Sequence, residues 1–145
     1  MTEINNLTTN EIDENFIKKI VEVIFKGEKV KKKQEISIAF IGASRMQKLN
    51  RKYRGKNKVT DVLSFSEPEV FLNSDNLGEV IICLKEVKKS ARKFDVSFEQ
   101  ELSRILIHGI LHILGYDHEK SKSETIEMEK RENYYLEKIF SHKHT

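Results

Sequence analysis

The sequence predicts a single small α+β domain, with about four strands in a mixed sheet packed against about five helices. Three observations carry that expectation. The chain of 145 residues holds one proline and no Gly/Ser-rich linker, internal repeat or low-complexity tract, so one continuous domain is the simplest division. Short runs with strand periodicity are interspersed with amphipathic helical runs, and helical patterns stand near both ends. With 38% apolar and 34% charged residues, the composition is that of a highly charged globular protein long enough to bury a core.

Taken in order, residues 4–7 read as a short first strand. Thr8 and Glu11 have capping-box spacing ahead of Ile12, Phe16, Ile17, Ile20, Val23 and Ile24, which share one side of a helix over about 11–27. QEISIAFIG alternates and predicts a strand over about 34–41, ending at Gly42. Ser44 and Gln47 repeat the capping-box pattern and open a basic helix to about Tyr53. VLSFS and GEVIICL supply two more strands, and KEVKKSARKF a helix with a second basic face. Ser97 with Gln100 caps a helix over 98–114, and Ser121 with Glu124 opens the last one, to about Ile139. In that last helix Ile126, Met128, Tyr135, Leu136 and Ile139 form the expected core side. The order of strands in the sheet does not follow from these patterns.

Several classes are disfavoured at once. The opening MTEINNLTTNEIDENF is polar and acidic, without the basic and apolar regions of a secretory signal. No apolar run approaches the roughly 18 residues of a membrane span. The one cysteine, Cys83, cannot form an internal disulfide, which suits a reducing cytosol and a cytoplasmic protein.

The chemistry concentrates in HGILHILGYDH, residues 108–118, which holds three of the five histidines. His108 and His112 are four apart and project from one face of a helix whose sequence, ILIHGILHIL, is apolar on nearly all sides. Gly115 is placed to end that helix in a left-handed conformation, after which His118 can return to the first two. This is the ligand spacing of the zinc peptidases with H-E-x-x-H-x-x-G-x-x-H, except that Gly109 replaces their glutamate. Three imidazoles and a water make an open, zincin-like site of the catalytic type. Imidazole also suits nickel, copper and iron. Asp117 has three readings: it orients a ligand histidine, accepts a proton, or simply forms the turn. His142 and His144, in the polar tail SHKHT, read as surface groups.

A second concentration is electrostatic. Segment 44–58, SRMQKLNRKYRGKNK, carries seven Lys or Arg and no acid, leaving 19 basic against 23 acidic residues elsewhere. A compact basic stretch on a mildly acidic body attracts phosphates, although a solvated lysine-rich helix has the same composition.

Together, HGILHILGYDH, YRGKNKVTDVLSF (53–65) and LGEVIIC (77–83) resemble the YbeY family of bacterial endoribonucleases and rRNA maturation factors, over about residues 36–140. The resemblance implies a zinc ion on His108, His112 and His118, and a role in RNA cleavage for Arg54, the arginine of RGK. It implies single-stranded RNA as substrate, maturation of the small-subunit rRNA 3′ end, ribosome quality control, and the small subunit with its assembly factors as partners. The family often has proline where this chain has Val59 and Ser66, two positions that shape the rim of the site. Met128 matches a family methionine and reads as core.

The residues make chemical sense in that role. Phosphodiester cleavage needs a polarised phosphoryl oxygen, an activated oxygen nucleophile and compensation for growing negative charge. Zinc supplies Lewis acidity and lowers the pKa of a bound water to about 7. Arg54 can place paired hydrogen bonds on phosphate oxygens. Lys48, Arg51, Lys56 and Lys58 would follow the RNA backbone without reading sequence. Tyr53 offers a stacking surface for a base, or a boundary position of the core.

Two other functions fit parts of the pattern. A peptidase would share the ligands but lack the carboxylate that moves its protons, a loss of roughly 10²–10⁴-fold. A non-catalytic ribosome-assembly factor would use zinc to hold its fold. Gly109 can alternatively be read as leaving room for a bulky ribose-phosphate beside the metal.

Overall fold

The computed structural model of the chain describes residues 2–67, 75–117 and 121–141. The elements run β1 (Thr2–Asn6), α1 (Glu14–Gly27), β2 (Glu35–Ile41), α2 (Ala43–Arg54), β3 (Val62–Ser66), β4 (Asn76–Cys83), α3 (Leu84–Lys93), α4 (Phe98–Ile113) and α5 (Lys122–Phe140). His118, His142 and His144 lie outside the described residues.

The strands form one sheet in the order β1-β2-β4-β3. β2 pairs in parallel with β1 and with β4, while β3 returns antiparallel to β4, so the sheet is mixed as expected. Alternation along the central strands divides the core in two. Ile36, Ile38 and Phe40 of β2, with Val80 and Ile82 of β4, join the main core with α1, α4 and α5. Ala39, Ile41, Ile81 and Cys83 belong to a second cluster, with Met46 and Leu49 of α2. Strands covered on both faces need continuous apolar runs, and AFI and VIIC supply them.

Two of the four predicted caps form as read. The Ser97 hydroxyl accepts from Gln100 N–H, and that of Ser121 from Glu124 N–H. The other two do not. α1 is capped by Asp13, whose carboxylate accepts from Phe16 N–H, because Thr8 is engaged with Asn6 and Asn10 in the turn after β1. α2 begins directly off β2 at Gly42, which has extended backbone and no side-chain cap, so the Ser44–Gln47 pattern lies inside the helix. In α5 Met128, Tyr135 and Ile139 are buried as read, whereas Ile126 is 46% exposed.

α4 is the element that carries the histidines, and it crosses the core. Nine of its residues are buried, among them Leu102, Leu106, Ile110 and Leu111. The reading of a helix buried all round needs one correction. Arg104, His108 and His112 recur every four residues and stay half-buried, so one stripe is open. Gly109 lies on the closed side. A Cβ there would meet Val80 Cγ1 at 2.9 Å and Ser64 Oγ at 3.1 Å. The Ser64 hydroxyl donates to the Gly109 carbonyl at 3.2 Å. The space beside Gly109 is therefore filled by the sheet and offers no room for a ribose-phosphate.

Candidate active site

The basic stretch reaches the histidine helix through the end of α2. Gly55 adopts φ 70°, a left-handed conformation that glycine tolerates best, and ends the helix after Arg54. Asn50, 2% exposed, then holds the returning loop: its amide donates to the Lys58 carbonyl at 3.0 Å. Its own carbonyl accepts from Lys56 N–H at 3.4 Å. The loop leads into β3, which docks on α4 through Ser64. As a result Arg54, Lys56, Lys58 and Thr60 line one cavity of about 230 Å³ together with Asn50 and His108.

That cavity unites three of the predicted phosphate-binding residues with one predicted metal ligand. Lys48 and Arg51 lie on the exposed side of α2, outside its lining. Tyr53 is 56% exposed and sets an edge against Phe65 at 5.3 Å, a boundary position rather than a core one. A larger cavity of about 740 Å³ lies between α1 and the residues after it, lined by lysine stems, Phe25 and Val30, away from the histidine stripe.

On α4, His108 Nδ1 lies 2.5 Å from Glu132 Oε1 of α5. A carboxylate beside Nδ1, leaving Nε2 for a metal, is the arrangement typical of metal-bound histidine. Glu132 was not among the residues singled out from sequence. It stands in the charged run EMEKREN, 24 positions beyond His108, and only the packing of α5 on α4 distinguishes it from its neighbours. His112 is half-buried one turn further along the same stripe.

The turn after α4 is well anchored. Gly115, with φ 110°, donates its N–H to the His112 carbonyl at 3.1 Å, and Tyr116 N–H reaches the Leu111 carbonyl at 3.1 Å. These two bonds make a Schellman cap, as the glycine in the motif predicted. The Tyr116 hydroxyl then donates to Glu28 at 2.8 Å, and Arg131 and Tyr135 donate to the same carboxylate. Burial alone would push the Glu28 carboxyl up, but the hydrogen bonds from Tyr135, Arg131 and Tyr116 outweigh it and hold the group below its ordinary value. Asp117, half-buried, is the last residue described before His118.

Among the described residues no three His, Cys, Asp or Glu side chains are gathered to hold a metal ion. The donor chemistry nonetheless fits one: two imidazoles share an open stripe, and one is oriented through Nδ1 by a carboxylate. The Glu101 carboxylate, at the start of α4, is occupied by Arg104 and Ser90; the Arg104 hydrogen bonds, chief among the causes, hold its pKa down.

Comparison with known proteins agrees with this architecture. The chain is 51% identical to an endoribonuclease YbeY of Thermodesulfovibrio yellowstonii over 72% of its own length and 66% of that relative, just under two thirds. It is 40% identical to an endoribonuclease YbeY of Persephonella marina, over 90% of this chain and 86% of the relative. The solution structure of a Thermotoga maritima protein superposes with a TM-score of 0.68 at 27% identity, covering 98% of this chain and 91% of that one. A family model described as endoribonuclease YbeY matches residues 2–140, and with nearly the whole described fold inside that match, the chain belongs to the YbeY family.

Proposed function

We propose that this chain is a zinc-dependent endoribonuclease that cuts single-stranded RNA, with the 3′ end of small-subunit rRNA as its substrate. Its partners in this reading are the small ribosomal subunit and its assembly factors, in the cytoplasm. The supporting observation is the cavity where Arg54, Lys56 and Lys58 meet His108. The activity for which the family is named, that of an endoribonuclease, points the same way. Among the described residues no helix is long and apolar enough to cross a membrane.

In this reading each residue has a distinct role. His108, His112 and His118 would hold zinc, which supplies Lewis acidity toward a phosphoryl oxygen when bound. Glu132 fixes the His108 ring, so that its other nitrogen keeps one orientation. Arg54 places its planar guanidinium on the non-bridging oxygens of the scissile phosphate, where charge grows during cleavage. Lys56 and Lys58 hold neighbouring phosphates as point charges, and Lys48 and Arg51 extend the attraction along α2. Asp117, at the end of the anchored turn, would take a proton from the attacking oxygen.

The peptidase reading is disfavoured at position 109, where the glutamate of that motif is replaced by a glycine whose added Cβ would press on Val80 and Ser64.

The test is metal analysis with single-turnover cleavage of single-stranded and structured RNA, and casein as a peptide control. Arg54→Ala should fold, bind RNA and cleave about 10²–10³-fold more slowly. His112→Ala should lose the metal and the activity. Cleavage by both variants at the wild-type rate would sink the assignment. Unfolding of His112→Ala, with weaker RNA association but unchanged cleavage in Arg54→Ala, would favour the assembly-factor reading.

A further inference from the structure

The His108 cavity continues toward α3. Lys58 and Thr60 line it and also line a second cavity of about 320 Å³, whose other wall includes Lys89, Lys93 and Phe94. Phe94 in turn lines a third cavity of about 340 Å³ with Gln100 and Arg104. Shared lining residues set the three side by side along one path, from His108 past the end of α3 to the first half of α4.

Charge along this path is layered. Lys89 and Lys93 are exposed, whereas the carboxylates that line the same cavity, Asp61 and Glu86, are half-buried. Asp61 also lies in the field of Arg104, and Arg104 is paired with Glu101. The exposed charged groups that line the three cavities are therefore cationic, while the exposed Asp95 follows Phe94 outside their lining.

Phe94 is an unusual residue for such a place. It is 59% exposed, and its backbone is fixed by bonds from its N–H to the Ser90 carbonyl and from Val96 N–H to the Ala91 carbonyl, both 3.0 Å. Asp95, which follows, turns the chain with φ 54°. The ring is thus presented to solvent by a rigid turn, with Lys93 Nζ 5.6 Å from its centroid. A flat apolar ring beside ammonium groups matches the alternation of base and phosphate in a single strand; a duplex keeps its bases stacked on each other.

The geometry points to a second RNA subsite at the end of α3. A strand leaving the His108 cavity runs over Lys58, lays phosphates on Lys89 and Lys93, and stacks one base on Phe94. This rests on the His108 cavity being the RNA-cleaving centre, so the experiment separates the two.

Anisotropy of labelled 2′-O-methyl RNA is measured with the full-length, metal-loaded protein, using oligonucleotides of about 4 and about 12 nucleotides at several salt concentrations. Wild type should bind the longer one more tightly. Phe94→Ala should shrink the affinity gap between the two lengths about tenfold, and Phe94→Trp should restore it. Lys89→Ala with Lys93→Ala should reduce the salt slope for the longer strand by about 1.4, two single-strand phosphate contacts. A wild type that binds neither length removes the RNA reading of the central cavity and the subsite with it. Tight, length-dependent binding that none of these variants alters overturns the subsite alone, and leaves the end of α3 as a protein-docking face.

Discussion

Arg131 and Glu132 are neighbours on α5, yet they serve opposite arrangements. Arg131 helps Tyr135 and Tyr116 saturate the Glu28 carboxylate, whose side chain is only 11% exposed. Glu132 lies against His108 Nδ1 at the edge of an open stripe. One carboxylate is surrounded by donors and ties α1, α5 and the turn after α4 into one body. The other orients a ring that lines the cavity with Arg54, Lys56 and Lys58. Buried polar groups with every lone pair used stabilise and specify a fold, whereas a partner held for its orientation tunes reactivity. Arg131 and Glu132 reach these two arrangements from adjacent positions because consecutive helix residues face different ways.

The sharpest way to break this contrast is to remove each carboxylate in turn. Glu28→Ala leaves Arg131 and two phenols without their acceptor, and should cost about 3 kcal/mol, close to 10 °C in melting temperature by calorimetry. Glu132→Gln should leave the melting temperature of the metal-free protein within about 2 °C while weakening zinc binding about 10- to 100-fold in a chelator competition. Equal thermal losses in both variants, with zinc affinity intact in the second, would show that the two carboxylates are not different in kind. The smallest effect is on pH dependence. Because the folded Glu28 carboxyl lies below its ordinary value, its contribution is complete above the unfolded value of about 4.3 and is lost as the pH falls toward the folded one. Glu28→Gln should therefore show a shallower loss of denaturant stability on acidification than wild type; parallel curves would place the acid sensitivity elsewhere.

What the sequence disclosed and what it hid divide along the range of the interactions. Ser97 and Ser121 were readable as caps because a hydroxyl and an N–H three residues away are all the geometry requires. Gly115 was readable because its left-handed conformation is a local demand. The same local rule failed at Thr8, which is drawn into the turn after β1, and at Ser44, where α2 springs directly from a strand. The pairing of β2 with β4 rather than with β3 is non-local and leaves no local trace. The same holds for the meeting of Arg54 with His108 in one cavity: each was visible as a motif, but their juxtaposition depends on β3 docking on α4. Gly109 was misread for this reason. Its neighbours in space, Val80 and Ser64, come from strands that its neighbours in sequence do not announce.

The hydrogen bond from Ser64 to the Gly109 carbonyl has a mechanical consequence. It ties the strand that follows the basic loop to the helix that bears the histidines, so the two walls are fastened to each other before any guest arrives. In the proposed reading a fastened wall leaves the bending to the guest, which favours flexible, unpaired stretches of RNA over stiff helical ones.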